Sequence, residues 1–268
     1  MDEFARSRFS GRLDRLSSLI ERFRVQAEVI PADRAVLEQA NFLIQRLPDG
    51  SLQLVFYPGG AKTRGQNAAF SERDGLETLV AAHIQITGAG HHLVCALPKC
   101  IEIPLNLAPD LAMVVTPLVE EVVRPRCGGL AVFHRLCEVV VIRLLRHALE
   151  TGAADVGLLA GLAHPRLAAA LVAMHAAPER SWTLEQLASV AGMSRTQFAV
   201  TFREVVGVTP GMYLSAWRLD IARAELETGS PVKVVAKLCG FSSAAAFSRA
   251  FSRRYGYAPT QMRSLEAG

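Results

Sequence analysis

The sequence predicts an α+β protein in which a small antiparallel β domain with attached helices precedes an all-α domain. Three observations lead there. The last ninety residues carry one helical pattern twice. Residues from about Val25 to Met113 alternate short apolar runs with turn residues. The basic excess of the chain is confined to its C-terminal part. With 268 residues, half of them apolar, the chain has material for two modest cores.

The repeat is read residue by residue. Ala188 matches Ala236, Gly192 matches Gly240 and Ser194 matches Ser242, each 48 residues apart. Phe198/Phe247, Phe202/Phe251, Gly207/Gly256 and Pro210/Pro259 match at a spacing of 49, so one extra residue falls where a turn belongs. A duplicated helix-turn-helix, whose usual purpose is to read DNA, is the simplest reading.

The elements follow in order. Residues 14–23 form an amphipathic helix candidate, with Leu13, Leu16, Leu19, Ile20 and Phe23 on one side. Residues 42–47 and 51–57 are strand-like and flank Pro48-Asp49-Gly50, a hairpin signal. Pro58-Gly-Gly and Gly88-Ala-Gly are further turns, and residues 77–86, 91–96 and 101–105 are further strand candidates. Residues 107–123 stay open between helix and strand. Residues 130–149 have helical periodicity through Val132, Phe133, Leu136, Val139, Val140, Leu144 and Leu145, and predict a buried or dimer-forming helix. Residues 152–161 read as a loop, and a helix from about Pro165 to His175 follows.

In the repeated part, Thr183 with Gln186 predicts a capping box, and Leu184, Leu187, Ala188 and Val190 a buried stripe. Gly192 suits the tight turn, Ser194 the next cap, and Phe198 and Phe202 the core. A longer helix from Thr209-Pro210 to about Thr228 is long enough to hold two recognition helices about one turn of B-DNA apart. Val232, Val235, Ala236 and Leu238 repeat the buried stripe, and Phe247 and Phe251 the core pair. The outward side is left to Ser194, Arg195, Thr196, Gln197, Ala199, Val200 and Arg203 in the first unit. In the second it is left to Ser242, Ser243, Ala244, Ala245, Ser248 and Arg249.

Charge agrees with that reading. Residues 164–268 hold twelve Lys/Arg and seven Asp/Glu, a balance of +5, whereas residues 1–163 balance at −1. A positive domain suits phosphate contact. No uncharged apolar run approaches the ~18 residues that span a bilayer, and residues 1–24 show no signal-peptide pattern. A cytoplasmic location without membrane contact is therefore expected. The five cysteines, Cys95, Cys100, Cys127, Cys137 and Cys239, show no zinc-finger spacing. Cys127, Cys137 and Cys239 are expected to pack.

The C-terminal hundred residues resemble the AraC/XylS family of transcription regulators. The resemblance rests on residues 182–187, Gly192-Met-Ser, the stretch from Phe202 to Pro210, Tyr213-Leu-Ser-Ala-Trp-Arg-Leu219, Ala246-Phe-Ser-Arg-Ala-Phe251 and Tyr255-Gly-Tyr-Ala-Pro259. It implies a seven-helix domain over residues 164–268, with helix-turn-helix units at 184–206 and 232–255 whose outward sets enter adjacent major grooves. This chain departs from a strong base-reading pattern: Ala199, Val200, Ala244 and Ala245 can meet only thymine methyls or DNA shape. Arg195, Arg203 and Arg249 are the strongest candidates for base or phosphate contact.

Residues 164–175, with Pro178 and Trp182-Thr, resemble the linker of an AraC subgroup with a cupin-like N-terminal β-barrel followed by dimerising helices. His92-Leu-Val-Cys95 is similar to a strand of that domain. The resemblance implies a sensor or dimerisation domain over residues 1–163. His83, His91 and His92 lack the spacing of a cupin metal site, so no metal or cofactor is expected. Cys95 reads either as a packing residue or as a thiol sensor of oxidants with Cys100 as resolving partner.

The function expected is a one-component, homodimeric regulator that binds double-stranded promoter or operator DNA. A small molecule or oxidant would be its effector, and RNA polymerase a partner if it activates. An effector-free DNA-binding antagonist or architectural protein is the alternative. A DNA-targeted thiol or cupin enzyme has less support, because no nucleophile–base or metal constellation stands out.

Overall fold

The computed structural model describes residues 13–31, 39–60, 76–88, 94, 96–152 and 156–262. These group into two compact units. One is drawn from residues 24–87 and 94–154. The other is drawn from residues 155–268, together with those up to 23 and 88–93.

The first unit is built on five strands: β1 (Phe23–Val29), β2 (Phe42–Arg46), β3 (Leu52–Phe56), β4 (Glu77–Gly88) and β5 (Ile101–Pro104). Their order is β1-β4-β2-β3-β5. The β2–β3 hairpin is antiparallel, with Phe42 opposite Phe56 and Arg46 opposite Leu52. Its loop closes through Leu47 N–H to Ser51 O and Gly50 N–H to Leu47 O, and Gly50 has φ +83°. That positive φ excludes most side chains, which is why Asp-Gly marks the turn.

Side chains alternate along these strands. Leu43, Val55 and Ala81 form one buried face with Ile30 and Ala40. Phe42, Ile44, Leu54, Phe56, Val80 and Ala82 are also buried, so both faces are covered. A register shift between Ile44 and Gln45 leaves Leu79 as one extra residue on β4. Asn41 is buried at the end of β2. It donates to Ile84 O (2.8 Å) and Tyr57 O (3.2 Å), and its Oδ1 accepts from Ile84 N (2.7 Å). One amide side chain thus continues the ladder where the strand stops.

Helices α2 (Pro109–Val123) and α3 (Gly129–Thr151) complete the unit. The open choice at 107–123 resolves to helix, because Leu111, Val115 and Leu118 recur at helical spacing on the buried face. The β region therefore ends before Met113. On α3, Phe133, Cys137, Val140, Val141, Leu144 and Leu145 are buried, whereas Leu130, Val132 and Val139 are exposed. Buried Glu121 accepts from Arg126 Nη2 at 2.7 Å, and a Cβ at position 129 would lie 2.6 Å from its Oε1. A larger residue there would have to displace the Glu121 carboxylate.

Two further expectations need correction in this unit. Val94 and Ala96 are helical, not extended; the rest of the 91–96 strand candidate lies outside the described residues. Cys127 is exposed and does not pack, while Cys137 is fully buried, and burial alone pushes its thiol up to about 12.

The second unit is helical: α1 (Ser17–Ile20), α4 (Leu158–Ala163), α5 (Leu167–Ala176), α6 (Leu184–Val190), α7 (Arg195–Val206), α8 (Pro210–Glu227), α9 (Val232–Leu238) and α10 (Ala244–Tyr255), then a 3-10 turn Pro259–Gln261. The helix expected over 14–23 is a single turn, since residues from Phe23 enter β1. Residues 158–163, expected in a loop, are helical. Both α1 and α4 group with this unit although they precede residue 164. Arg15 Nη1 donates to Leu162 O (3.1 Å) and Ala163 O (3.4 Å), and Gly157 N–H donates to Val205 O (2.9 Å).

Candidate nucleic-acid interface

The first reader is α6, a turn and α7. Thr183 Oγ1 accepts from Gln186 N (3.2 Å), and Gln186 Oε1 accepts from Thr183 N (3.1 Å), completing the capping box. Gly192 turns the chain at φ +61°, and Ser194 Oγ then accepts from Gln197 N at 3.3 Å. The rings of Phe198 and Phe202 are fully buried, with centroids 5.5 Å apart.

Helix α8 follows, capped by Thr209 on Met212 N with Pro210 at its first position. Its 18 residues span about 27 Å at ~1.5 Å per residue. Tyr213, Leu214, Trp217, Leu219, Ile221, Ala222 and Leu226 are buried, as the apolar run requires. Trp217 is sealed against His175 of α5 (centroids 4.6 Å apart), and His175 Nε2 meets Tyr213 Oη at 2.6 Å. Tyr213 in turn stands edge-on to Phe202 at 5.8 Å, so α5, α8 and α7 share one aromatic seam.

The second reader is α9, a turn and α10. Gly240 turns the chain at φ +71°. The cap is Ser243, whose Oγ accepts from Ala246 N at 3.1 Å. Aligned on function, Ser194 thus corresponds to Ser243 at a spacing of 49, not to Ser242. The extra residue lies between Gly240 and the cap, inside the turn. Phe247 and Phe251 repeat the buried pair at 5.5 Å.

Of the predicted stripes, Leu187, Ala188, Val235 and Ala236 are buried, and Leu184 and Val232 only half-buried. Val190 and Leu238 are exposed, at 42% and 49%, and Ala191 and Cys239 occupy the inner position instead. A seven-residue helix that buries residues 187 and 188 puts 191 on the same side one turn later, and 190 off it. Cys239 therefore packs, and burial pushes its thiol up to about 12.

Every residue assigned to the outward side is accessible. Ser194, Arg195, Thr196, Gln197, Val200 and Arg203 are exposed and Ala199 half-buried; Ser242, Ser243, Ala244, Ala245 and Arg249 are exposed and Ser248 half-buried. The hydroxyls of Ser194 and Ser243 are engaged as helix caps. Arg195 Nη1 lies 2.9 Å from Glu185 Oε1 of α6. The Glu185 carboxyl sits below the ordinary carboxylate range, through its own backbone N–H first and Arg195 second.

Three positioning features escape a reading by periodicity. Asp220 is buried among apolar neighbours on α8. Its Oδ1 accepts from Tyr255 Oη (2.6 Å) and from Arg254 Nη2 (3.1 Å), tying the rod to the end of α10. Burial and the Asp220 charge hold the Tyr255 phenol protonated far above its ordinary range. Arg218 donates to Pro178 O (2.6 Å) and Arg180 O (2.8 Å), fastening the segment before α6 to α8. Finally, a Cβ on Gly240 would lie 2.5 Å from Glu179 O, so this segment also abuts the second turn. The one visible sequence signal was an aspartate inside an apolar run, between Leu219 and Ile221.

Cys95, His91 and His92 lie outside the described residues. Cys100 is half-buried, with Sγ 3.6 Å from Glu102 Oε1. Among the described residues, no three His, Cys, Asp or Glu converge as a metal site would require.

Comparison with known proteins assigns both units. A helix-turn-helix domain model matches residues 187–264, and a cupin model matches residues 24–150. The HTH-type transcriptional regulator AlkR of Acinetobacter baylyi is 33% identical over 234 residues, covering 84% of this chain and 76% of AlkR. The RCS-specific HTH-type transcriptional activator RclR of Escherichia coli is 29% identical over 225 residues, covering 81% and 79%. A putative AraC-like transcription regulator of Streptomyces antibioticus is 35% identical over 181 residues; the match takes in 66% of this chain but only 60% of that relative. Among solved structures, the DNA-binding domain of AdpA in complex with a target DNA is 32% identical, covering 38% of this chain and 93% of that chain, with a TM-score of 0.37. With a cupin unit followed by two capped helix-turn-helix readers on one rod, this chain belongs to the AraC-like family of transcription regulators.

Proposed function

We propose that the chain is a one-component regulator that grips one face of duplex DNA through α7 and α10 in adjacent major grooves. The observation that carries this is the accessibility of both outward sets, Arg195, Thr196, Gln197, Val200 and Arg203 on one helix and Ala244, Ala245 and Arg249 on the other. A rod of about 27 Å, extended by the helices it carries, matches the ~34 Å repeat of B-DNA. The cupin unit acts as sensor of a small molecule or oxidant and as dimerisation unit, through the exposed Leu130, Val132 and Val139 of α3. The effector works by binding two arrangements of the chain unequally. The Escherichia coli relative RclR is a transcriptional activator, which favours activation here, with RNA polymerase as partner. No helix of the described residues is long and apolar enough to cross a membrane. Membership of a family of transcription regulators is what supports a cytoplasmic, non-enzymatic role on DNA.

The test is charge reversal. Arg195→Glu and Arg249→Glu, in the full chain, should each weaken duplex binding in a gel-shift titration while leaving thermal unfolding unchanged. Unaltered affinity in both variants would remove the assignment.

A further inference from the structure

The two readers share a backbone and differ in chemistry. Aligned on their caps, α7 opens with Arg195, Thr196 and Gln197, and α10 with Ala244, Ala245 and Ala246. These first positions of a recognition helix are the ones that meet base edges. Arg, Thr and Gln bring donors and acceptors that distinguish base pairs; alanine brings only a methyl, which meets thymine methyls or nothing.

Charge runs the opposite way. Residues 183–209 carry Arg195 and Arg203 against Glu185 and Glu204, a balance of zero. Residues 228–262 carry Lys233, Lys237, Arg249, Arg253 and Arg254 and no acidic residue at all. Arg254 is committed to Asp220. The other four are exposed and form no ion pair among the described residues. In the first reader even Arg195 is partly neutralised, since Glu185 holds it at 2.9 Å. That pair orients a planar fork of donors and subtracts the long-range charge, an arrangement suited to bidentate base recognition over attraction to any phosphate.

We propose that the readers divide the work. The α7 reader sets sequence preference through Arg195 and Thr196. The α9–α10 reader supplies sequence-independent grip on phosphates through Lys233, Lys237, Arg249 and Arg253. This rests on the DNA-binding assignment above and goes beyond it by giving the two halves unlike roles. Its consequence is an asymmetric site: one block of strongly preferred bases, and a neighbouring block chosen by shape or thymine methyls alone.

The experiment uses the full chain. Bound duplexes are selected from a random pool and sequenced; affinity for a selected duplex and a scrambled one is then measured between roughly 50 and 200 mM salt. Two variants are compared with the parent. Arg195→Lys/Thr196→Ala keeps the charge and removes the fork. It should lose ~10–100-fold on the selected duplex and almost nothing on the scrambled one. Lys233→Gln/Lys237→Gln/Arg249→Gln/Arg253→Gln should lose equally on both. It should also flatten the slope of log affinity against log salt by ~3–4, at ~0.9 per phosphate contact. Because all the altered side chains are exposed, unchanged thermal midpoints are expected; the pair Lys237→Gln/Arg253→Gln, with a slope change of ~2, serves if the fourfold variant unfolds. Two equally informative blocks, an equal loss on both duplexes by the α7 variant, or an unchanged slope in the α9–α10 variants would each overturn the proposal. A parent chain that binds neither duplex at low salt would overturn the DNA-binding assignment itself, a result distinct from those three.

Discussion

Adding one methyl group at Gly240 and the same methyl at Gly192 should have very different consequences, although both glycines turn the chain in equivalent places. Both have positive φ, +71° and +61°, so alanine is strained at each by about 1–2 kcal/mol. At Gly192 the new Cβ meets nothing within 4 Å. At Gly240 it would lie 2.5 Å from Glu179 O, 2.8 Å from Glu179 Cα and 2.9 Å from Glu179 C. All three are backbone atoms of a segment that Arg218 anchors on either side, at Pro178 O and Arg180 O, so the neighbour cannot step aside cheaply. Overpacking of this kind adds about 1–3 kcal/mol. The stiffening of the unfolded chain by alanine applies to both variants and cancels in the comparison. At ~4–8 °C per kcal/mol for a unit of about a hundred residues, Gly192→Ala should lower the midpoint by ~4–16 °C and Gly240→Ala by at least ~4–8 °C more. Tryptophan fluorescence is the assay, because Trp182 and Trp217, the two tryptophans of the chain, both report on the helical unit. Equal losses in the two variants would show that the Glu179 segment does not press on the second turn.

Other expectations follow from single contacts. Asp220→Ala leaves Arg254 and Tyr255 facing a buried gap and should destabilise the helical unit by about 3–5 kcal/mol in denaturant titration; a loss under about 1 kcal/mol would contradict the tie between α8 and α10. Asn41→Ala removes the bonds to both Ile84 N–H and Ile84 O, costing about 1–3 kcal/mol for each orphaned group, and should speed hydrogen exchange at Ile84. His164 Nδ1 accepts from Arg166 N (3.3 Å) and Leu167 N (3.2 Å) at the start of α5, a role open only to the neutral ring. Burial, then the Arg166 charge, lowers its pKa, so the contribution is present above the ordinary value of 6.5 and is lost as pH falls through the lowered folded value. The midpoint gap between the parent and His164→Ala should therefore narrow below pH 6.5, and a gap independent of pH would refute the cap. Glu185→Gln releases Arg195 and removes an anion from the DNA-facing side, and should tighten binding to scrambled duplex; no change would show that the pair has no electrostatic effect on DNA.

What the chain reveals by itself is whatever is local and repeated. Caps at Thr183, Ser194 and Thr209, glycine turns, and aromatic pairs four residues apart depend on backbone geometry within one or two turns of helix, so spacing discloses them. The extra residue in the second turn was visible as a change of spacing from 48 to 49, although only the coordinates assign the cap to Ser243. The Asp-Gly hairpin was legible for the same reason. Tertiary structure alone decided the contacts between distant segments: Asp220 with Arg254 and Tyr255, Arg15 with the end of α4, and Glu179 against Gly240. It also decided that residues 109–123 are helical and that α1 is a single turn, since a short apolar run suits either state until something packs against it. Val190 and Leu238 look as apolar as their buried neighbours, and only the direction from which α7 and α10 approach leaves them in water. Periodicity records which side chains prefer to leave water; which partner they meet depends on residues far along the chain, and no local pattern carries that information.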